Sequence, residues 1–350
     1  MDLGREPFEP VRRVVRRGAA ALLCAVLLAV SPAGPSAAEP GTVRAVGTVA
    51  LAVEDLDRSV AFYTSVLDFV EIDRGELAGA PYERLEGIAG LRVRVARLAL
   101  GDERITLQEY LTPKGRPVPA DSRGNDRWFQ HVAVITSDMD RAYARLRAAH
   151  VRAASSAPQR LPDWNANAAG IRAYYFRDPD GHYLEILQFP PDKGAAKWHA
   201  GASRLFLGID HTAIVVRDTE VSLRFYRDAL GMRVVGGSEN YGPEQERLSG
   251  VAGAHVRITT LRAPAGPGIE FLQYLAPADG RSAPADERAN DLVSWQTTVA
   301  VDELPGPLGA LRAAGASLVS TGPVTLPGGS ADGAVVVRDP DGHAIELVTR

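Results

Sequence analysis

Two histidines stand at the mouths of β-branched runs. His131 opens the stretch that closes on Asp138, and His211 opens the one that closes on Asp218. A neutral imidazole there is a nitrogen ligand for a metal ion or a group that changes charge near neutral pH. Two glutamates lie inside apolar runs, Glu185 between Leu184 and Ile186, and Glu346 between Ile345 and Leu347. A carboxylate in such a strand is costly unless it is paired or holds a cation. Each residue alone has an ordinary alternative: a rim histidine with its hydrogen bonds satisfied, or a glutamate paired with an arginine.

The elements that carry these residues repeat. After Asp218 the chain turns helical, with Ser222, Phe225, Tyr226 and Leu230 at helix spacing. Thr48 to Asp55 has the same form and leads to Phe62, Tyr63 and Leu67; His131 to Asp138 leads to Tyr143 and Leu146; Trp295 to Asp302 leads to Leu308 and Leu311. Thr48 and His211, Tyr63 and Tyr226, and Glu83 and Glu246 are each 163 residues apart, which marks a duplicated half. The second and fourth units end on Asp178-Pro179-Asp180-Gly181-His182 and Asp339-Pro340-Asp341-Gly342-His343, the chemistry of a tight hairpin. Each unit therefore reads strand, helix, then three strands. Pro/Gly-rich linkers follow at 113–126, 190–205 and 276–291, and Arg123-Gly124-Asn125-Asp126 and Arg288-Ala289-Asn290-Asp291 recur as turns before a strand.

Composition is that of a globular protein, 45% hydrophobic and 23% charged. Its length suits two domains, and a net charge of −4 argues against nucleic acid as a partner. The first residues differ from the rest. Arg12, Arg13, Arg16 and Arg17 precede an apolar run from Gly18 to Val30 and a small-residue segment from Ser31 to Ala38, the three-part order of a signal peptide, with cleavage expected after Ala38. The expected divisions are a signal at 1–38, a flexible tail at 39–45, a first half at 46–190, a linker at 191–207 and a second half at 208–350. The product would be exported, periplasmic or extracellular, without stable membrane insertion after cleavage. The paired arginines also suit export of an already folded protein. The only cysteine, Cys24, lies in the apolar run, so the mature chain has no thiol for disulfides or metal.

A histidine-led strand, a Phe-Tyr helix and an Asp-Pro-Asp-Gly hairpin before a Leu-Glu-Ile or Ile-Glu-Leu strand resemble the vicinal oxygen chelate superfamily, which includes glyoxalase I, extradiol dioxygenases and bleomycin resistance proteins. The resemblance covers essentially the whole mature chain. It implies an α+β fold of four βαβββ modules forming two eight-stranded cups with the helices outside. It also implies that each module can supply one metal ligand from its first strand and one from its last. The first-strand positions are then Thr48, His131, His211 and Trp295. The last-strand positions are Thr106, Glu185, Glu270 and Glu346, with Gln108 or Glu109 as alternatives to Thr106.

Modules two and three each keep both ligands. Neighbour pairing of modules would give two incomplete sites, whereas pairing two with three and one with four would gather His131, Glu185, His211 and Glu270 in one cup and leave the other nearly bare. By the same resemblance that set holds one divalent ion, Zn, Ni, Mn, Co or Fe(II), with Glu185 and Glu270 as catalytic bases. The implied function is a lyase or isomerase acting on a small molecule that chelates the ion through vicinal oxygens, in a monomer or homodimer. The alternatives are an extradiol-type dioxygenase and a metal-free small-molecule binding protein.

Overall fold

The computed structural model describes residues 43–200, 203–327 and 333–349. The expected signal segment and residues 39–42 of the tail lie outside them. The first strand, Val43–Ala52, begins three residues ahead of the boundary expected at position 46.

The described residues form two large curved sheets. In chain order the first module contributes Val43–Ala52, Val70–Ala78, Arg92–Leu100 and Glu103–Thr112; the fourth contributes Trp295–Val301, Ser317–Leu318, Gly333–Arg338 and Ala344–Thr349. These eight strands make one sheet, joined where Val43–Ala52 runs antiparallel to Trp295–Val301, with Leu51 opposite Trp295. The second and third modules make the other sheet. It is joined where Gln130–Thr136 runs antiparallel to Phe206–Val215, with His131 opposite Ala213. This sheet has a ninth member, the two-residue strand Gln159–Arg160, beside Arg172–Arg177. Module one thus pairs with module four, and two with three.

The helices lie on the outer faces and start as the sequence dictates. Asp55 accepts from the Arg58 amide and Asp138 from the Arg141 amide, both at 3.0 Å, so Leu56–Leu67 and Met139–Ala148 begin capped. Asp218 caps Thr219–Leu223 through the amides of Glu220 and Val221. Tyr63 and Leu67 of module one share a buried cluster with Met139, Leu146 and Phe176 of module two. Phe225 and Tyr226 of module three share another with Leu308 and Leu311 of module four. Modules adjacent in sequence therefore share a helix-filled core, whereas modules from opposite halves share a sheet.

The Asp-Pro-Asp-Gly hairpins lock these cores. Asp178 Oδ1 accepts from the amides of Asp180, Gly181 and His182, and its Oδ2 accepts from Tyr63 of the neighbouring helix at 3.1 Å. Asp339 repeats this with Tyr226 at 3.0 Å. The motif is structural, as its turn chemistry suggested. The linkers cross as well. Arg116 of the first holds Asp291 of the third, and Arg281 of the third holds Asp126 of the first, each at 2.6 Å. The two linkers touch so closely that a Cβ on Gly115 or Gly280 would lie 1.7 or 1.9 Å from a backbone oxygen.

Candidate metal centre

Strand register brings the four expected residues to one concave face. Glu185 lies opposite Ala133 in a parallel pair and Glu270 opposite Ala213, two residues beyond the respective histidines, so alternation sends all four side chains the same way. Glu185 Oε2 is 3.2 Å from His131 Nε2 and 3.6 Å from His211 Nε2; His211 Nε2 is in turn 3.3 Å from Glu270 Oε2. His131, Glu185 and His211 form a buried triad whose ligand atoms lie within 4.8 Å of one another. Glu270 stands beside it, partly exposed, with its other oxygen accepting from Thr260 at 2.7 Å.

These residues fit a divalent ion. Donors sharing an ion at about 2.1 Å lie roughly 3 Å apart when adjacent, close to the spacings seen here. His131 adds a second sign: both ring nitrogens are buried and lack a hydrogen-bond partner among the described residues. Its 3.2 Å approach to Glu185 is not aligned for a hydrogen bond. An imidazole left so, against Tyr175 at a ring distance of 4.9 Å, is costly unless something takes its lone pair.

His211 is held differently. Its Nδ1 lies 3.0 Å from the carboxylate of Asp210, which is buried and also accepts from Arg262 at 2.8 Å and from Trp198 Nε1 at 3.1 Å. Burial works against the Asp210 charge, but His211 and Arg262 outweigh it and hold the carboxyl far below its usual range. Burial likewise opposes an imidazolium at His211, yet Glu270, Asp210 and Glu185 together push it up to about 9. Sequence reading misses Asp210, Arg262 and Trp198. A signal exists for the first: the 163-residue offset sets Gly47 against Asp210, so the carboxylate is peculiar to the third module.

The four residues open into a cavity of about 870 Å³. Its walls include Leu161, Leu248, Val256 and Leu272, and Arg262 and Gln245 are among its polar groups.

The other cup corrects one expectation. Glu346 lies opposite Thr298, as Glu185 lies opposite Ala133, so the counterpart of His131 is Gln296 and not Trp295. Trp295 faces the helix side, in the cluster that holds Leu51 and Tyr63. The slip has a physical origin. Asp302 is one residue nearer its strand than Asp138 is, and it does not cap the following helix, Pro305–Ala313, which has no side-chain cap. Thr48 and Thr106 take the expected places, with their hydroxyls 3.2 Å apart. Gln108 alternates onto the face of Thr106, while Glu109 turns away and accepts from Arg94 at 2.9 Å. Glu346 accepts from Thr298 at 2.8 Å. Beside it, burial and the Glu346 charge push Glu86 up to about 8.

The family model of the Glyoxalase/Bleomycin resistance protein/Dioxygenase superfamily matches residues 45–186 and again 208–347. The chain belongs to this superfamily. Within it, the chain is 34% identical over 156 residues to a 2-epi-5-epi-valiolone epimerase from Actinomyces sp, covering 43% of this chain and 82% of that protein. It is 30% identical over 148 residues to the lactoylglutathione lyase of Haemophilus influenzae, covering 39% of this chain and 89% of that one. Among solved structures, glyoxalase I from Zea mays aligns over 87% of this chain and 92% of its own, with a TM-score of 0.58 and 16% identity. A mutant form of that enzyme aligns over the same shares with a TM-score of 0.60 and 17% identity. At that identity the likeness concerns the glyoxalase fold, two cups in one chain. Superfamily members usually depend on a divalent metal and act on small substrates, and the His131, Glu185 and His211 cluster accords with that habit. No helix among the described residues is long and apolar enough to cross a membrane.

Proposed function

We propose that the chain is a metal-dependent lyase, isomerase or epimerase acting on a small substrate with vicinal oxygens. His131, Glu185, His211 and Glu270 would hold one divalent ion, and the protein would be exported, as the order of residues 12–38 suggests. The observation that carries the reading is His131, buried against Glu185 with no hydrogen-bond partner for either nitrogen among the described residues.

When bound, the ion supplies Lewis acidity to the substrate's vicinal oxygens and so acidifies the C–H next to a carbonyl. The chain supplies the rest. Glu185 and Glu270 stand on opposite sides of His211 Nε2, one on each strand flanking the paired histidine strands, so either can take a proton from a carbon between them. Return of the proton by the same carboxylate isomerises the substrate, and return by the other inverts the carbon. Thr260 steadies Glu270 without burying it fully. The apolar walls limit water at the reacting carbon. The names of the epimerase and lyase relatives accord with proton transfer next to a carbonyl.

One observation favours a second reading. His131, Glu185 and His211 are also the two-histidine, one-carboxylate set of Fe(II) oxygenases. Elemental analysis of protein purified without chelators, followed by substrate screening with that metal, decides between them. Solvent deuterium incorporated into a 2-hydroxyketone supports proton transfer, and oxygen uptake with a catechol panel supports the oxygenase. Protein that holds no metal under any condition overturns both.

A further inference from the structure

Apart from His131, Gln245 brings to the cavity a buried polar atom that has no hydrogen-bond partner among the described residues. It lies in the short helix Pro243–Ser249, is 4% exposed, and its Oε1 is buried without a hydrogen-bond partner among the described residues. Exchanging the amide oxygen and nitrogen would leave an N–H in the same position, so the deficit does not depend on how the amide is turned. A buried amide with an unmet hydrogen bond costs stability, and a leucine or methionine of the same reach would not incur that cost. The neighbouring walls are of that apolar kind: Leu248 from the same helix, with Val256 and Leu272.

The other half of the duplication shows what the position holds in the cup that lacks the two histidines. Its counterpart, 163 residues earlier, is Tyr82. Tyr82 packs against the apolar cluster of Ile88, Leu91 and Val93. At this position the amide stands in the cup that carries His131 and His211, and the other cup has a tyrosine.

We infer that Gln245 is a substrate-binding residue that hydrogen-bonds a hydroxyl beyond the two oxygens facing the metal centre, so that the substrate is a polyhydroxylated carbonyl compound and not one with an alkyl body. An amide both donates and accepts, as a hydroxyl does, whereas an alkyl chain would leave it unmet. The inference rests on the metal-dependent reading above and names the substrate class of that site.

Two hydroxamates of equal length test it. Both present the same pair of vicinal oxygens; gluconohydroxamate has a hydroxylated tail and hexanohydroxamate an alkyl one. Binding is followed through the visible spectrum of the cobalt-loaded, full-length mature protein. The native protein should prefer gluconohydroxamate by about ten-fold, and Gln245→Leu should lose or reverse that preference. Gln245→Leu should also raise the Tm of the ligand-free protein, since it removes an unmet amide; Gln245→Met replaces it if the leucine variant does not fold. Equal binding of the two hydroxamates by the native protein, or a preference unchanged in the variant, overturns the role of Gln245 while leaving the metal centre standing. Failure to take up cobalt overturns the metal centre, and this inference with it.

Discussion

Asp210 and His211 are adjacent in a strand, where alternation should part them, yet the Asp210 carboxylate lies 3.0 Å from His211 Nδ1. The pairing with Gln130–Thr136 slips between Ile209 and His211, and that irregularity lets both side chains turn to one side. Once His211 is neutral, this contact fixes its tautomer. With Nδ1 engaged by Asp210, Nε2 is left for Glu185, Glu270 and an ion. Asp210→Asn should therefore weaken metal affinity by roughly 10- to 100-fold while the apo fold persists, as read by competition with a chromophoric chelator and by circular dichroism.

Metal uptake should depend on pH with a definite sign. His211, pushed up to about 9 in the metal-free protein, must lose its proton to become a ligand. Apparent affinity should rise about ten-fold per pH unit from pH 6 toward 9 and then level off, with close to one proton released per ion near neutrality. Calorimetry in buffers of different ionisation enthalpy counts that proton. Uptake with no proton release at pH 7 would contradict the His211 assignment.

In the bare cup, Glu86 is pushed up to about 8 from an ordinary 4.5. Folding then favours its protonated form. The contribution is fully present below pH 4.5, falls by about 1.4 kcal/mol for each pH unit between the two values, and is gone above pH 8. Glu86→Gln, neutral throughout, should flatten the decline. Denaturant unfolding of both proteins from pH 5 to 9 checks this, and parallel curves would refute it.

Substitutions separate the two cups. His131→Ala and His211→Ala should each abolish the same single metal equivalent, although the residues belong to opposite halves. Glu346→Ala should leave it in place. Independent loss of two different equivalents would place the histidines in separate sites.

Much of this is legible in sequence because duplication repeats its errors as well as its patterns. The 163-residue offset marks Thr48 as a place where a ligand is missing, alignment of the last strands marks Thr106 as another, and strand alternation places His131 with Glu185. Trp295 is misplaced when a spacing to an aspartate is followed where the aspartate has lost its capping role; only the pairing of Thr298 with Glu346 reveals Gln296. Asp210 escapes notice because strand alternation hides a neighbour's carboxylate, and a local slip in register leaves no mark in composition. Gln245 escapes it because a single amide in a short helix has no period to betray it. Its meaning comes from the cavity it borders.

The crossed pairing of modules sets an order of assembly on a chain made from its N-terminus. Arg44 meets Asp302, 258 residues away, so Val43–Ala52, already paired with Glu103–Thr112, waits for almost the whole chain before its antiparallel partner exists. The sheet of modules two and three needs nothing beyond the strand Gly268–Ala276. The metal-bearing cup can therefore close while the first module, already made, still exposes the unpaired edge of Val43–Ala52. During synthesis that edge is the segment most open to pairing with a second nascent chain, and its protection falls to whatever holds the N-terminus until residues 295–301 emerge.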